Sequence, residues 1–252
     1  MKDPLLKALV PAEVIGQTRK AVSRSALAAA EKIIGAVRRD GRDALMEYGR
    51  RFGDLGPDDQ LVYGKDELAA ARARIPSSQL AVLERTAERI GIFAAAQREI
   101  LRDMDMAVKG GRAGWRYFPV QRAGCYAPGG RFPLPSSVLM TAVTARTAGV
   151  GEIWVASPRP VDLTLAAAAV AGADALVAAG GAQAVAALAY GVDGIPGCDV
   201  IVGPGNRYVT AAKQLVTGQV RIDMLAGPSE LVILADDKRH LALSDLGEII
   251  LL

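Results

Sequence analysis

Ala175-Leu176-Val177-Ala178-Ala179-Gly180-Gly181-Ala182-Gln183 followed by Ala184-Val185-Ala186-Ala187-Leu188-Ala189-Tyr190 is the stretch that decides the fold. A short apolar run, two glycines and an Ala-rich segment of helical length succeed one another directly, as where a buried strand turns into a helix. The same grammar repeats on either side. Strand-like runs occur at Gly124–Ala127, Ile153–Ser157, Ala175–Ala179, Val200–Val202 and Leu231–Ala235. Between them, Ser136–Ala148, Asp162–Ala171, Ala182–Tyr190 and Arg207–Val216 have the length and composition of helices. This alternation predicts an α/β fold with a parallel sheet, right-handed crossovers and ligands bound beyond the carboxyl ends of the strands.

Glycines concentrate at those strand ends. Cys125-Tyr126-Ala127-Pro128-Gly129-Gly130 follows the first run, Gly180-Gly181-Ala182-Gln183 the third and Gly203-Pro204-Gly205-Asn206 the fourth; Ala226-Gly227-Pro228-Ser229-Glu230 precedes the fifth. Three of these turns open into helices, so free backbone N–H groups and positive dipole ends are expected to converge on one crevice. Each turn also carries a polar side chain: Tyr126, Gln183, Asn206 and Ser229. Glycines at such turns can serve turning alone, but four on one sheet edge favour a ligand crevice. No GxGxxG is present, and Gly203-Pro204-Gly205 is only a fragment of that pattern.

Residues 1–122 read as a mainly helical region. Leu27, Ala30, Ile34, Val37, Leu45 and Tyr48 recur at helical spacing around a break at Gly41, and Lys65-Asp66-Glu67 begins a shorter helix. Leu80, Leu83, Ala87, Ile90, Phe93 and Ala94 predict one long amphipathic helix beginning at Pro76-Ser77-Ser78. No short motif in this half carries chemistry, so it reads as scaffold. Residues 123–230 read as the α/β domain, and residues 231–252 begin with the fifth strand-like run.

Composition excludes several classes. The 252 residues hold 30 Lys and Arg against 27 Asp and Glu, one His and two Cys. One histidine cannot build a His-rich metal site, and Cys125 and Cys198 form no CxxC, so neither a zinc knuckle nor a redox dithiol is available. Cys125 reads as a buried strand thiol rather than a nucleophile, and His240, beside Lys238 and Arg239, as a surface residue. Residues 1–124 carry 22 basic and 16 acidic groups, but these are interspersed and not interleaved with aromatics, which argues against nucleic acid. Neither a leader nor a membrane span is evident, so a cytoplasmic protein is expected.

The glycine turns resemble those of histidinol dehydrogenases, the NAD-dependent enzymes that end histidine biosynthesis. Tyr126-Ala127-Pro128-Gly129-Gly130 with Pro133–Met140, Gly180–Gly191, Gly203–Asn206 and Ile222–Glu230 carry the resemblance in one order, and it continues diffusely at Asp40–Tyr48. It implies an α/β fold: a helical N-terminal region followed by a parallel-sheet, incomplete Rossmann-like NAD-binding domain. It implies that Tyr126, Gln183 and Asn206 contact NAD and that Ser229 touches an amino alcohol such as histidinol. The reaction it implies takes L-histidinol to L-histidine through the aldehyde, reducing two NAD, in a zinc-requiring and typically intertwined homodimer.

The resemblance also marks departures. The family's zinc ligands and its Glu-His pair lie beyond Ser244-Asp245-Leu246, where this chain reads Gly247–Leu252. No catalytic or metal residue is therefore assigned, and a truncated member, inactive alone, is expected. An apolar helical face left bare would call for self-association or a chain that covers it. The alternative is a non-catalytic NAD- or nucleotide-binding pseudoenzyme, or a partner of a full-length relative. For Gln183 the competing reading is a helix-start amide bonding its own backbone, and for Ser229 a simple turn residue.

Overall fold

The computed structural model of the protein describes residues 22–56, 59–129 and 132–225. Helix α1 (Arg24–Arg51) starts where the Ser23 hydroxyl oxygen accepts the Ala26 amide. Ala30, Ile34, Val37, Leu45 and Tyr48 are buried along it, as their spacing predicts, and Leu27 packs at the margin. Gly41, the expected break, has φ 58° and ψ −129°, so the helical backbone is interrupted there and α1 is two helical segments joined at a kink.

Three strands in the first half go beyond the helical reading. Val62–Gly64 (β1) precedes helix α2 (Lys65–Arg74), whose first turn is closed by the Glu67 carboxylate accepting the Gly64 amide at 3.0 Å. Helix α3 (Ser77–Glu99) then leads to an antiparallel hairpin of β2 (Met104–Val108) and β3 (Gly111–Trp115). Helix α3 starts at the expected signal, but its apolar face is less buried than the periodicity predicts. Leu83 and Ala94 are buried and Ala87 and Ile90 half-buried, whereas Phe93 is 66% exposed. The helix packs chiefly along α4, and its outer apolar residues meet no described neighbour layer.

From Arg122 the alternation follows the sequence reading. Strand β4 (Arg122–Tyr126), helix α4 (Pro135–Thr147), β5 (Glu152–Ala156), α5 (Asp162–Val170), β6 (Ala175–Val177), α6 (Gly181–Tyr190), β7 (Val200–Val202), α7 (Arg207–Val216) and β8 (Arg221–Ile222) succeed one another. The sheet order is β1-β6-β5-β4-β7-β8, parallel throughout except for β1, which runs antiparallel to β6 at the edge. The chain steps outward from β4 through β5 to β6, then returns to place β7 and β8 on the other side of β4. That reversal makes the β4/β7 boundary a topological switch point, where open α/β sheets bind ligands.

Both faces of the sheet are covered. Ile153 and Val155 of β5 point to the layer of α2, α3, α4 and α5, with Leu68, Leu83, Val138, Leu139 and Leu165. Trp154 and Ala156 point to the opposite layer of α1, α6 and α7, with Leu45, Val185, Leu188, Val209 and Val216. This strict two-residue alternation, with apolar residues on both faces, is the mark of a sheet between helical layers. Helix α6 is buried on every side, from Ala182 to Ala189, so its Ala-rich composition suits a helix wedged between sheet and α1.

Candidate functional site

Tyr126 ends β4 and Gly203 immediately follows β7, so the two flank the switch point. Their backbones touch closely. Gly203 has φ 120°, and a Cβ there would collide with the Tyr126 carbonyl oxygen, so only glycine lets the turns meet. Both polar groups of Gly203 are held. Its N–H donates to Asp223 Oδ2 at 2.8 Å, and its carbonyl accepts from Lys213 Nζ at 3.0 Å. Lys213, 4% exposed, is also ion-paired with Asp223. One buried cation and one carboxylate thus clamp the Gly203–Asn206 turn.

A second clamp closes the start of α6. Asp54, in the segment after α1, accepts at Oδ2 from Gly180 N–H and from Gln183 Nε2, each at 2.9 Å. The Gly181 N–H donates to Tyr126 Oη at 3.0 Å. Burial raises the Asp54 carboxyl above its ordinary range, against the opposing pull of those donors and of the nearby Arg159 charge. Burial likewise pushes the Tyr126 phenol up to about 12, so it is neutral at physiological pH. One of its lone pairs accepts from Gly181, and the O–H keeps its capacity to donate.

The expectation of free amides is met only in part. The Gly180 and Gly181 N–H groups meet Asp54 and Tyr126, and Asn206 Oδ1 accepts from Tyr208 N–H at 2.9 Å and Val209 N–H at 3.2 Å, whereas the Ala182, Gln183 and Arg207 N–H groups have no partner among the described residues. The reason is physical: amides at a mostly buried helix start need partners, and a carboxylate there is favoured by the dipole. Of the residues singled out by sequence, Tyr126 and Gln183 are joined through Gly181 and Asp54. Asn206 is exposed on the adjacent turn and keeps Nδ2 as a donor. Gln183, 1% exposed, has its Oε1 buried without a hydrogen-bond partner. Ser229, His240 and the strand-like run Leu231–Ala235 lie outside the described residues.

Three participants escaped the sequence reading. Asp54 follows Gly53 after a helix end and looks like a turn residue, which is why the first half read as pure scaffold. Lys213 left a usable signal, since it lies four residues after Val209 on the buried side of α7. Asp223 left none. Cys125 and Cys198 are buried thiols, each pushed up to about 12 by desolvation. Among the described residues no cluster of His, Cys, Asp or Glu could hold a metal ion, and no helix is long and apolar enough to cross a membrane.

Comparison with known proteins agrees with this geometry. The family model described as histidinol dehydrogenase matches residues 17–245. Histidinol dehydrogenase of Methylococcus capsulatus is 46% identical over 213 residues, covering 82% of this chain and 49% of that protein. The enzyme of Methanococcus maripaludis is 43% identical, covering 83% of this chain and 50% of its own. A crystal structure of histidinol dehydrogenase from Elizabethkingia anophelis superposes with a TM-score of 0.74 at 31% identity, over 84% of this chain and 50% of that one. The chain spans about half the length of the relatives it matches. With the fold, the glycine turns and these matches in agreement, this chain belongs to the histidinol dehydrogenase family.

Proposed function

We propose that residues 22–225 form the dinucleotide-binding part of a histidinol dehydrogenase-type oxidoreductase, with the crevice at the β4/β7 switch point taking NAD. The observation that carries this reading is the meeting of the Tyr126 and Gly203 turns beside the Gly180-Gly181 turn, where a Cβ on Gly203 could not fit. The groups fit a dinucleotide. Tyr126 offers its O–H and Asn206 its Nδ2, suited to ribose and phosphate oxygens. Gln183 would meet the ligand from below the Gly180-Gly181 turn, with its amide oriented by Asp54. Bound NAD supplies a hydride acceptor; the residues named here bind and orient it. Ser229 is proposed as a substrate contact on resemblance alone.

The family's reaction, from histidinol to histidine, belongs to the whole-length relatives. One histidine in 252 residues cannot furnish the family's zinc ligands and acid–base pair, so no step through zinc is derived for this chain. The proposal for these residues is binding without turnover, in a non-membrane, cytoplasmic setting. Covering of the exposed apolar side of α3, by a second copy or another chain, is part of the same proposal. Titration of the purified, folded chain with NAD⁺ by calorimetry tests it: saturable binding with one site per chain is expected, and a folded chain that takes up no NAD⁺ refutes it.

A further inference from the structure

If a dinucleotide occupies this crevice, its diphosphate needs a counter-charge, and the helix starts offer amides such as those of Ala182 and Arg207 but no full charge. The Gly180, Gly181, Gly203, Tyr208 and Val209 amides are all engaged by protein oxygens, two of them carboxylates. A further anion at those ends would face Asp54 or Asp223 at close range, which is repulsive. Lys213 is buried in its own ion pair. Among the described residues that follow the strands, this leaves Arg159 after β5 and Arg207 at the start of α7 as exposed cations. Arg207 is committed to its neighbour, with Nη2 on Tyr208 Oη at 3.1 Å and its guanidinium over the Tyr208 ring at 5.0 Å.

Arg159 is placed differently. It has φ 46°, the one positive φ outside glycine among the described residues, a conformation that a side chain disfavours. The backbone is held there by its N–H, which donates to the Asp54 carbonyl at 3.3 Å. Pro158 before it is wedged against two glycine turns: a Cβ on Gly129 would stand 2.5 Å from Pro158 Cγ, and one on Gly180 2.9 Å from it. The segment that carries Arg159 is thus held against the Gly129 and Gly180 turns and the Asp54 backbone. Among the described residues its guanidinium makes neither a hydrogen bond nor an ion pair, yet its charge is felt at the Asp54 carboxylate. An unusual backbone, fixed against the site and ending in an uncommitted planar cation, suits bidentate recognition of a phosphate.

We propose that Arg159 holds the diphosphate of the nucleotide ligand in this crevice, supplying the full counter-charge that the helix starts lack. The inference rests on the dinucleotide reading above, and the experiment separates the two. Arg159→Gly removes the charge while suiting the positive φ, so its thermal unfolding should occur at or above the wild-type temperature. Calorimetry at low salt should show NAD⁺ binding weakened about ten-fold in Arg159→Gly and restored only in part by Arg159→Lys, which keeps the charge without the planar fork. Adenosine, which lacks phosphate, should bind both forms equally. NAD⁺ affinity within two-fold of wild type in a folded Arg159→Gly overturns the proposal. Should the wild-type chain bind no NAD⁺, the dinucleotide reading fails, and inorganic pyrophosphate then decides the anion site by NMR. A shift of the Arg159 Nε–Hε signal, identified by its loss in Arg159→Gly, supports it, and no shift overturns it.

Discussion

Asp54 joins a segment of the helical first half to the start of α6, and replacing it gives the sharpest test of the site's construction. Asp54→Ala removes the acceptor of two hydrogen bonds, each 2.9 Å long, from Gly180 N–H and Gln183 Nε2. Each buried donor left without a partner costs about 1–3 kcal/mol. The loss is offset in part because an ionised, largely buried carboxylate no longer has to be desolvated. A net cost of about 2–4 kcal/mol follows. Asp54→Asn should cost about 1 kcal/mol, because its Oδ1 still accepts from Gly180 and its Nδ2 can meet the orphaned Gln183 Oε1 once that amide turns over. The pH dependence carries a definite sign. The folded-state pKa of Asp54 is raised, so between the unfolded carboxyl value and that raised value the folded chain binds the extra proton. Stability from this group is therefore full at low pH and falls as pH rises through the raised value. Urea unfolding from pH 4 to pH 7 should show the wild-type advantage over Asp54→Asn shrinking as pH rises. An advantage that grows with pH, or an Asp54→Ala chain within 0.5 kcal/mol of wild type, would refute the burial argument.

Four further outcomes are expected. Gln183→Ala and Asn206→Ala should each weaken NAD⁺ binding by about 1–2 kcal/mol, and Asn206→Ala should also lose about 1 kcal/mol of stability with its cap; calorimetry showing unchanged affinity in both would remove them from the site. Gly203→Ala should lower stability by about 3 kcal/mol in chemical unfolding, because it adds a collision with Tyr126 to a positive φ, and a loss below about 1 kcal/mol would mean the two turns are free to part. Histidinol, NAD⁺ and zinc together should give no rise in NADH absorbance above the blank; a measurable rate would replace binding-only by catalysis. Ile92 and Phe93, 65% and 66% exposed on α3, predict concentration-dependent association in sedimentation that Ile92→Glu with Phe93→Glu reduces, and a wild-type chain monomeric at every concentration would count against a covered face.

What could be read from sequence tracks how local the determining forces are. Val200–Val202 and Arg207–Val216 match residue for residue, because each is bounded by its own turn chemistry at Gly203 and Asn206. The strand within the run Ala175–Ala179 is two residues shorter than the apolar run itself. The ladder stops at Val177, and the Ala178 amide turns to the Leu61 carbonyl at 2.8 Å, a partner far away in the chain. Strand β1 is invisible for the same reason: a run of three residues ending in glycine is too short to show a period, and it becomes a strand by pairing with β6. The β2–β3 hairpin did leave a local mark, the Gly110-Gly111 pair with Gly110 at φ 91°. At the site, Tyr126, Gln183 and Asn206 could be named from their turns, but their working atoms could not. Only the packed structure reveals that Asn206 Oδ1 is consumed by capping while Gln183 Oε1 is left over.

The two clamps share one design, and it bears on why the glycine turns need the rest of the chain. A turn with a glycine at its pivot is conformationally loose, and a dinucleotide bound by a loose turn must supply the free energy of ordering it. Here that ordering is done in advance from outside each turn. Asp54, reaching over from the segment after α1, fixes Gly180 and Gln183; Lys213 and Asp223 fix both backbone groups of Gly203. Two of these three residues are buried, and all three carry charge, so each clamp survives only while its partners stay in place. The helical first half is therefore more than a support that covers the sheet. By delivering Asp54 to the start of α6, it fixes the Gly180 amide and sets which atom of the Gln183 amide is bonded and which is left over.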